Sequence, residues 1–130
     1  MHHVDTNIVL RYLLQDIPEQ TQTATDLFDT NEMHVSYEVL AETVYVLISV
    51  YKAKRAAVSQ QLQEFLVSSG VLVKDPDVIW QALVLFGATR FDFVDCVLAA
   101  RSQIEGAEIH TFDKDLRKLL DQSVQGAKQL

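Results

Sequence analysis

The sequence contains a single cysteine, Cys96, among 130 residues, so a disulfide within the chain is impossible. This excludes the small secreted domains that disulfides stabilise. Only two prolines and four glycines occur, and none of them forms a cluster that resembles a linker. No apolar run approaches the roughly 20 residues of a membrane span, and the first residues lack the basic and apolar regions of a signal peptide. We therefore expect a cytoplasmic protein without membrane contacts.

Positive charge is also scarce, since 18 acidic residues oppose 11 basic ones and the formal net charge is −7. Such an excess disfavours binding to nucleic acids and to anionic membrane surfaces. A carboxylate cluster that holds a divalent cation reverses this expectation locally, because the ion presents positive charge to a phosphate. The positions of the acids therefore matter more for function than their number.

The chain has the length and composition of one folded domain, with 48% hydrophobic residues. We expect this domain to span 1–122 and the residues 123–130 to form a flexible tail. Short apolar segments alternate with longer segments of helical periodicity. Strands are predicted at 2–4, 33–36, 71–73 and 108–111, and helices at 7–14, 18–29, 37–50, 53–67, 76–86, 93–104 and 113–120. This alternation predicts the α/β class, with a mostly parallel sheet covered by helices.

In such sheets the chemistry collects at the carboxyl ends of the strands. Acids occur at four such places: Asp5 after the first strand, Glu42 in the helix after the second, Asp92 with Asp95 at a helix start, and Asp113 after the last strand. Converging carboxylates repel one another unless a cation or a proton neutralises them. Oxygen ligands suit Mg²⁺ or Mn²⁺, which polarise a phosphoryl oxygen and activate an attacking water. The pattern therefore predicts metal-dependent phosphodiester hydrolysis.

Other roles for these acids remain open on the sequence alone. Asp5, Asp92 and Asp113 also suit helix caps or first helical turns. Glu42 and Asp95 lie among apolar residues, and a buried acid is costly unless it is paired, which favours a functional role for both.

Neighbouring candidates have simpler interpretations. Cys96, beside Asp95, is typical of a small core residue rather than a nucleophile. Asp115 is typical of a solvated helix face or cap. Arg90 and Lys118 belong to a scattered set of bases that either line a phosphate groove or are simply solvated.

The acidic motifs occur in an order that resembles a known family. They are Val-Asp-Thr-Asn-Ile-Val-Leu-Arg-Tyr-Leu-Leu at 4–14, residues 36–44 with their glutamate, Asp-Phe-Val-Asp-Cys-Val-Leu-Ala-Ala at 92–100, and Thr-Phe-Asp at 111–113. Together they resemble the motifs of PIN domains, and specifically of VapC-type toxin ribonucleases of type II toxin–antitoxin systems. The resemblance extends from about Val4 to Leu119.

This resemblance implies a three-layer α/β/α sandwich with a central parallel sheet of four to five short strands. It implies an Mg²⁺- or Mn²⁺-dependent endoribonuclease that cleaves tRNA or rRNA, forms a homodimer and is blocked by a small VapB-type antitoxin. The catalytic acids would be Asp5, Glu42, Asp95 and Asp113. Of these, Asp5 and Asp95 would bind metal directly or through water, and Asp113 would complete the site or bind a second ion. Glu42 would hold metal-bound waters or help to orient the attacking one. The side chains that would support them are Thr6, Asn7, Asp92 and Thr111.

Two other functions compete with this interpretation. A catalytically silent domain could keep the PIN fold for RNA binding or protein interaction, although such a module has no need of a costly carboxylate cluster. A phosphatase built around Asp5 is the weaker alternative, because Asn7 stands where the common phosphatase pattern has a second aspartate.

Overall fold

A computed structural model describes the backbone of residues 1–129 and the side chains of residues 1–122. The described chain forms seven helices and three short strands. In order they are β1 (His2–His3), α1 (Thr6–Leu14), α2 (Pro18–Thr30), β2 (Met33–His34), α3 (Tyr37–Ser49), α4 (Arg55–Leu66), β3 (Val71–Leu72), α5 (Pro76–Ala88), α6 (Phe93–Glu105) and α7 (Lys114–Gln129). The predicted tail at 123–130 falls on residues whose side chains lie outside this description, and it stays a prediction.

The strands form a parallel sheet in the order β1-β2-β3, which confirms the predicted class and strand direction. His3 pairs with His34, and His34 pairs with Leu72, so the three strands end at one edge of the sheet. Two helices connect each strand to the next. The first residues beyond the strands therefore lie along a common edge.

The predicted strand at residues 108–111 does not join this sheet. The part of the chain with an assigned backbone contains three strands, so the expected four to five are not confirmed. The segment has the alternation of a strand, since Glu108 and His110 are exposed while Ile109 packs against Leu116 and Leu120. Alternation alone does not make a strand, because the backbone also needs a partner for its hydrogen bonds. The three-layer arrangement stays a prediction.

Most helix boundaries follow local signals in the sequence. The Ser36 hydroxyl caps α3 by accepting a hydrogen bond from the Val39 amide at 3.2 Å, as a serine at this position predicts. Pro18 begins α2, where its missing N–H is not needed. Gly106 ends α6 with a φ of 68°.

Gly87 does not end α5, although the sequence predicts a stop there. The helix continues to Ala88. A Cβ atom at position 87 would lie 2.9 Å from both Cβ and Oγ of Ser59. The glycine therefore permits close packing of α4 against α5 and does not serve as a helix stop.

The main hydrophobic core joins the sheet to α1 through α6. A second, smaller cluster, formed by buried Ala99, Leu116 and Leu120, joins α6 to α7. The last helix is therefore attached to the domain through the outer face of α6. This attachment brings the start of α7 close to the start of α6.

Arg55, the first residue of α4, holds the turn between α5 and α6. Its guanidinium carbon lies 3.7 Å from the centroid of the Phe86 ring, and its Nε donates to the Phe86 carbonyl at 3.0 Å. A second guanidinium nitrogen donates to the Phe91 carbonyl. These contacts fix the backbone immediately before Asp92.

Candidate active site

Asp95 lies in the first turn of α6 and is half-buried. Its orientation follows from its neighbours, because Phe93, Cys96 and Val97 are all buried in the main core. Burial raises the pKa of the Asp95 carboxyl, and the negative charges of Asp92 and Asp113 raise it further. The ionised carboxylate is thus in an environment that favours a cation.

Asp113 precedes α7 and caps it. Its Oδ1 accepts hydrogen bonds from the amides of Asp115 at 2.9 Å and Leu116 at 3.0 Å. The Thr111 hydroxyl accepts from the Asp113 amide at 3.0 Å, so this threonine supports the aspartate as the motif resemblance implies. Oδ2 takes no part in these bonds. The same carboxylate can therefore cap the helix and bind a further group.

Asp92, Asp95 and Asp113 line one cavity of about 700 Å³. Asp92 is the N-cap residue of α6 and makes no capping hydrogen bond through its side chain. Arg90 and Lys118 also line the cavity. The space thus combines several carboxylates with cationic side chains, a combination that suits a phosphate bridged by a metal ion.

Asp5 does not line this cavity. Its Oδ1 caps α1 by accepting from the Ile8 amide at 3.0 Å. With Asn7 and Arg11 it lines a separate cavity of about 570 Å³. Thr6, the first residue of α1, is buried. The capping alternative that the sequence leaves open for Asp5 is therefore realised.

Glu42 does not line the acidic cavity, and its expected burial is wrong, since the side chain is exposed. The buried face of α3 is formed by Leu40, Thr43, Val44 and Leu47. Position 42 lies on the other side of the helix, together with Tyr45, whose side chain is 68% exposed. The apolar neighbours of Glu42 in the sequence suggested that its side chain is buried. One of these neighbours, Tyr45, is itself exposed, so apolar residues do not mark the buried face of α3.

Three charged residues of the cavity are not among the predicted site residues: Asp115, Arg90 and Lys118. The sequence leaves a role in a phosphate groove open for the two bases. Asp115 and Lys118 are three residues apart in α7, so their side chains lie on one face of the helix. This face borders the cavity that Asp113 also lines. A search for charged residues in the first two turns after the last acid would have found both. Arg90 carries no comparable signal, since only the folded turn brings it to the cavity.

Cys96 follows Asp95 but belongs to the core, as the sequence predicts. Its side chain is fully buried. Burial raises the pKa of the thiol to about 11. The thiol therefore stays protonated near neutral pH and is a poor nucleophile.

The donor set fits a hydrated divalent ion. Among the described side chains no group of three or more His, Cys, Asp or Glu residues is close enough to hold a metal ion. Magnesium needs fewer protein ligands than this, because it commonly binds one or two carboxylates and keeps several waters. Asp95, with Asp92 and Asp113 as electrostatic neighbours, supplies such carboxylates. Oxygen donors of this kind suit Mg²⁺ or Mn²⁺ rather than a soft metal.

A protein-family model described as PIN domain matches residues 3–120, which includes α1 through the beginning of α7. The chain belongs to the PIN domain family. PIN domains are commonly metal-dependent nucleases, and the acidic cavity with its lining cations accords with that chemistry. No curated protein and no solved structure matches this PIN domain significantly. None of its described helices is long and apolar enough to cross a membrane.

Proposed function

We propose that this PIN domain is an Mg²⁺- or Mn²⁺-dependent endoribonuclease, the toxin of a VapBC-type pair, and that it cleaves tRNA or rRNA. The observation that supports this function best is the cavity that Asp92, Asp95 and Asp113 share with Arg90 and Lys118. Burial and the charges of Asp92 and Asp113 raise the pKa of the Asp95 carboxyl, and a divalent ion neutralises such a site well. The cations supply contacts for the phosphates of an RNA strand.

Each cavity residue has a role in this proposal. Asp95 and Asp113 hold the ion, and Asp92 strengthens the negative field around it. The bound ion supplies positive charge to the scissile phosphate and lowers the pKa of a coordinated water. Arg90 and Lys118 bind the neighbouring phosphates, which offsets the net charge of −7 where the RNA lies.

We assign Asp5 as a third ligand and Glu42 as the residue that orients the attacking water. Capping and metal binding are compatible at Asp5, because the cap uses only Oδ1. Glu42 is exposed to solvent, where it can contact a water or an RNA strand. Thr6 and Asn7 belong to the same first turn as Asp5 and support its placement.

The direct test is cleavage of a mixed tRNA and rRNA pool by the purified protein with Mg²⁺, with Mn²⁺ and with a chelator. We expect cuts at a few discrete sites that disappear with the chelator. Asp95→Asn should lower the cleavage rate at least 100-fold, since loss of a group that acts on the transition state commonly has an effect of this size. Asp29→Asn is the matched control, because Asp29 is an exposed acid of α2 outside the cavity.

Cleavage that survives the chelator, or an Asp95→Asn variant with wild-type activity, contradicts the proposed nuclease. Asp5→Asn distinguishes a ligand from a cap, because asparagine caps a helix as well as aspartate does. Loss of cleavage in this variant at unchanged stability supports the ligand role.

A silent PIN domain that only binds a partner is the second candidate. It is favoured by the position of Asp5, which lines a cavity separate from that of Asp95. A titration with Mn²⁺ separates the two functions. Metal binding stabilises the folded state by about 2.7 kcal/mol at 100 times the dissociation constant. A melting temperature that does not respond to Mn²⁺ supports the silent domain.

A groove beside the acidic cavity supports the proposed antitoxin. It has a volume of about 390 Å³ and is lined mainly by apolar residues of α3 and α6, among them Tyr45 and Val94. Asp92 lines both spaces, so a peptide segment in the groove would lie next to the site and block RNA. The same exposed side chains, Tyr45 and Val94, could instead form the contact between the two subunits of a homodimer. The test is to coexpress the protein with the product of the neighbouring gene. If that product copurifies with the protein and abolishes cleavage, it is the antitoxin.

A further inference from the structure

Phe112 is fully exposed, with a relative accessibility of 106%. A single exposed apolar side chain is ordinary on a protein surface. This one differs in its position, because it directly precedes Asp113, which lines the acidic cavity. The Cα atoms of adjacent residues are about 3.8 Å apart. The backbone that carries the ring therefore adjoins Asp113 at the edge of the cavity, while the ring itself projects into solvent and does not line it.

The backbone around Phe112 is held in place on both sides. The Thr111 hydroxyl accepts a hydrogen bond from the Asp113 amide, and this bond spans Phe112. Asp113 in turn caps α7. Ile109, three residues earlier, packs in the small cluster between α6 and α7. The local structure therefore fixes the backbone at position 112, so that binding has to order only the side chain.

The charges near Phe112 indicate what covers it. Arg90 and Lys118 line the adjacent cavity together with the acids. A strand whose phosphate lies at the acids and whose backbone contacts these cations would carry a base on either side of that phosphate. Aromatic side chains stack on such bases when they are unpaired.

We propose that Phe112 is a base-stacking residue that holds the nucleotide next to the scissile phosphate. The inference rests on the proposed nuclease and deepens it by requiring an unpaired base at the cleavage site. A duplex cannot satisfy this contact, because its bases are stacked on one another. Phe112 therefore favours an unpaired nucleotide over a base-paired one at this position.

The test measures RNA binding and cleavage separately. Binding uses a labelled single-stranded RNA oligonucleotide with 2-aminopurine near its centre, and the same strand annealed to its complement. Both are measured with Ca²⁺ in place of Mg²⁺, so that an oxygen-binding cation neutralises the acids while cleavage is suppressed. The proteins are the wild type, Phe112→Ala, Phe112→Trp and Phe112→Leu. Val67→Ala is the matched control, because Val67 is 74% exposed and lies at the end of α4.

Stacking predicts that Phe112→Ala weakens binding of the single strand roughly 5- to 100-fold, since an aromatic stack contributes about 1–3 kcal/mol per base. Phe112→Trp should restore the affinity and the quenching of 2-aminopurine, whereas Phe112→Leu should restore neither. The duplex should bind weakly to all variants, and Val67→Ala should resemble the wild type. Unchanged melting temperatures exclude a folding defect, as full exposure of the ring predicts.

Equal affinity of Phe112→Ala and the wild type for the single strand overturns the stacking contact. Recovery by leucine as complete as recovery by tryptophan also overturns it, because it indicates apolar contact without stacking. Metal-dependent cleavage by the wild type in the same preparations keeps this failure apart from that of the nuclease. Absence of cleavage under every metal contradicts the nuclease, whatever the binding data show.

Discussion

At the scale of one residue, Asp95 shows that the effect of a carboxylate on stability depends on what neutralises its charge. Its pKa is raised by burial and by the charges of Asp92 and Asp113. A carboxyl whose pKa is raised by folding contributes stability only while it is protonated. That contribution is complete below the pKa of the unfolded chain and is lost as the pH rises through the folded pKa.

Asp95→Asn should therefore stabilise the metal-free protein at pH 7. We expect a gain of about 0.5–1 kcal/mol, in the lower part of the range for relief of charge repulsion. The corresponding rise in melting temperature is about 2–4 °C. The gain should shrink as the pH falls through the raised pKa of Asp95, where the wild-type carboxyl becomes protonated as well, and it should be lost below the ordinary aspartate pKa of about 3.9.

Thermal unfolding in chelator across this pH range measures the effect, with Asp29→Asn as the control. A lower melting temperature for Asp95→Asn at pH 7 contradicts the repulsion that we describe. Added Mg²⁺ or Mn²⁺ should stabilise the wild type and not the variant, so that the wild type then has the higher melting temperature.

At the scale of the helix and strand, the sequence predicts more of the fold than of the site. Pro18 and Ser36 mark helix starts that the structure confirms. The strand predicted at 108–111 fails because its alternation is a local property, whereas pairing depends on what lies beside it. The predicted end of α5 at Gly87 is wrong for a related reason. This glycine is needed for the close packing of Ser59 against α5, which a local pattern does not reveal.

Prediction of the site has the same limit. The acids of α6 are close in sequence, and their shared helix face follows from spacing alone. Asp113 reaches them through the cluster between α6 and α7, which no local pattern indicates. The exposure of Glu42 could not be predicted either, because α3 has exposed apolar residues that make its faces ambiguous in sequence.

The cap of α1 offers a test at the scale of one helix. Asp5→Ala removes the acceptor of the Ile8 amide and should lower the free energy of unfolding by about 1 kcal/mol. Asp5→Asn should change it by only a few tenths, because asparagine is an equally good N-cap. Urea denaturation measures both, with Glu32→Ala as an exposed control between α2 and β2. Equal losses in the alanine and asparagine variants would show that charge, not capping, is what Asp5 contributes.

At the scale of the whole molecule, Arg55 connects distant parts of the chain. Its guanidinium contacts the end of α5 and the turn before α6 at once. Arg55→Lys keeps the charge but loses the planar fork that reaches two carbonyls. We expect a loss of about 2 kcal/mol in the free energy of unfolding, since half-buried carbonyls would lose their donors.

Chemical denaturation measures this loss, and Arg117→Lys on the exposed side of α7 is the control. The turn that Arg55 holds leads directly to Asp92 and Asp95, so cleavage should also decline. An Arg55→Lys variant as stable as the wild type would show that the two carbonyl contacts contribute little to folding.

The division of the core into a large and a small cluster has a consequence for how the molecule opens. Asp95 belongs to a helix anchored in the large cluster, whereas Asp113 begins the helix anchored in the small one. Regions with few buried contacts exchange their amide hydrogens through partial opening, at a lower free energy than global unfolding. Asp95 and Asp113 line one cavity, so an opening of the small cluster as a unit would pull its wall away from the unit formed by the large one. Any ligand that touches both units therefore binds in competition with that opening, and it should slow amide exchange at Leu116 and Leu120 more than in the large core.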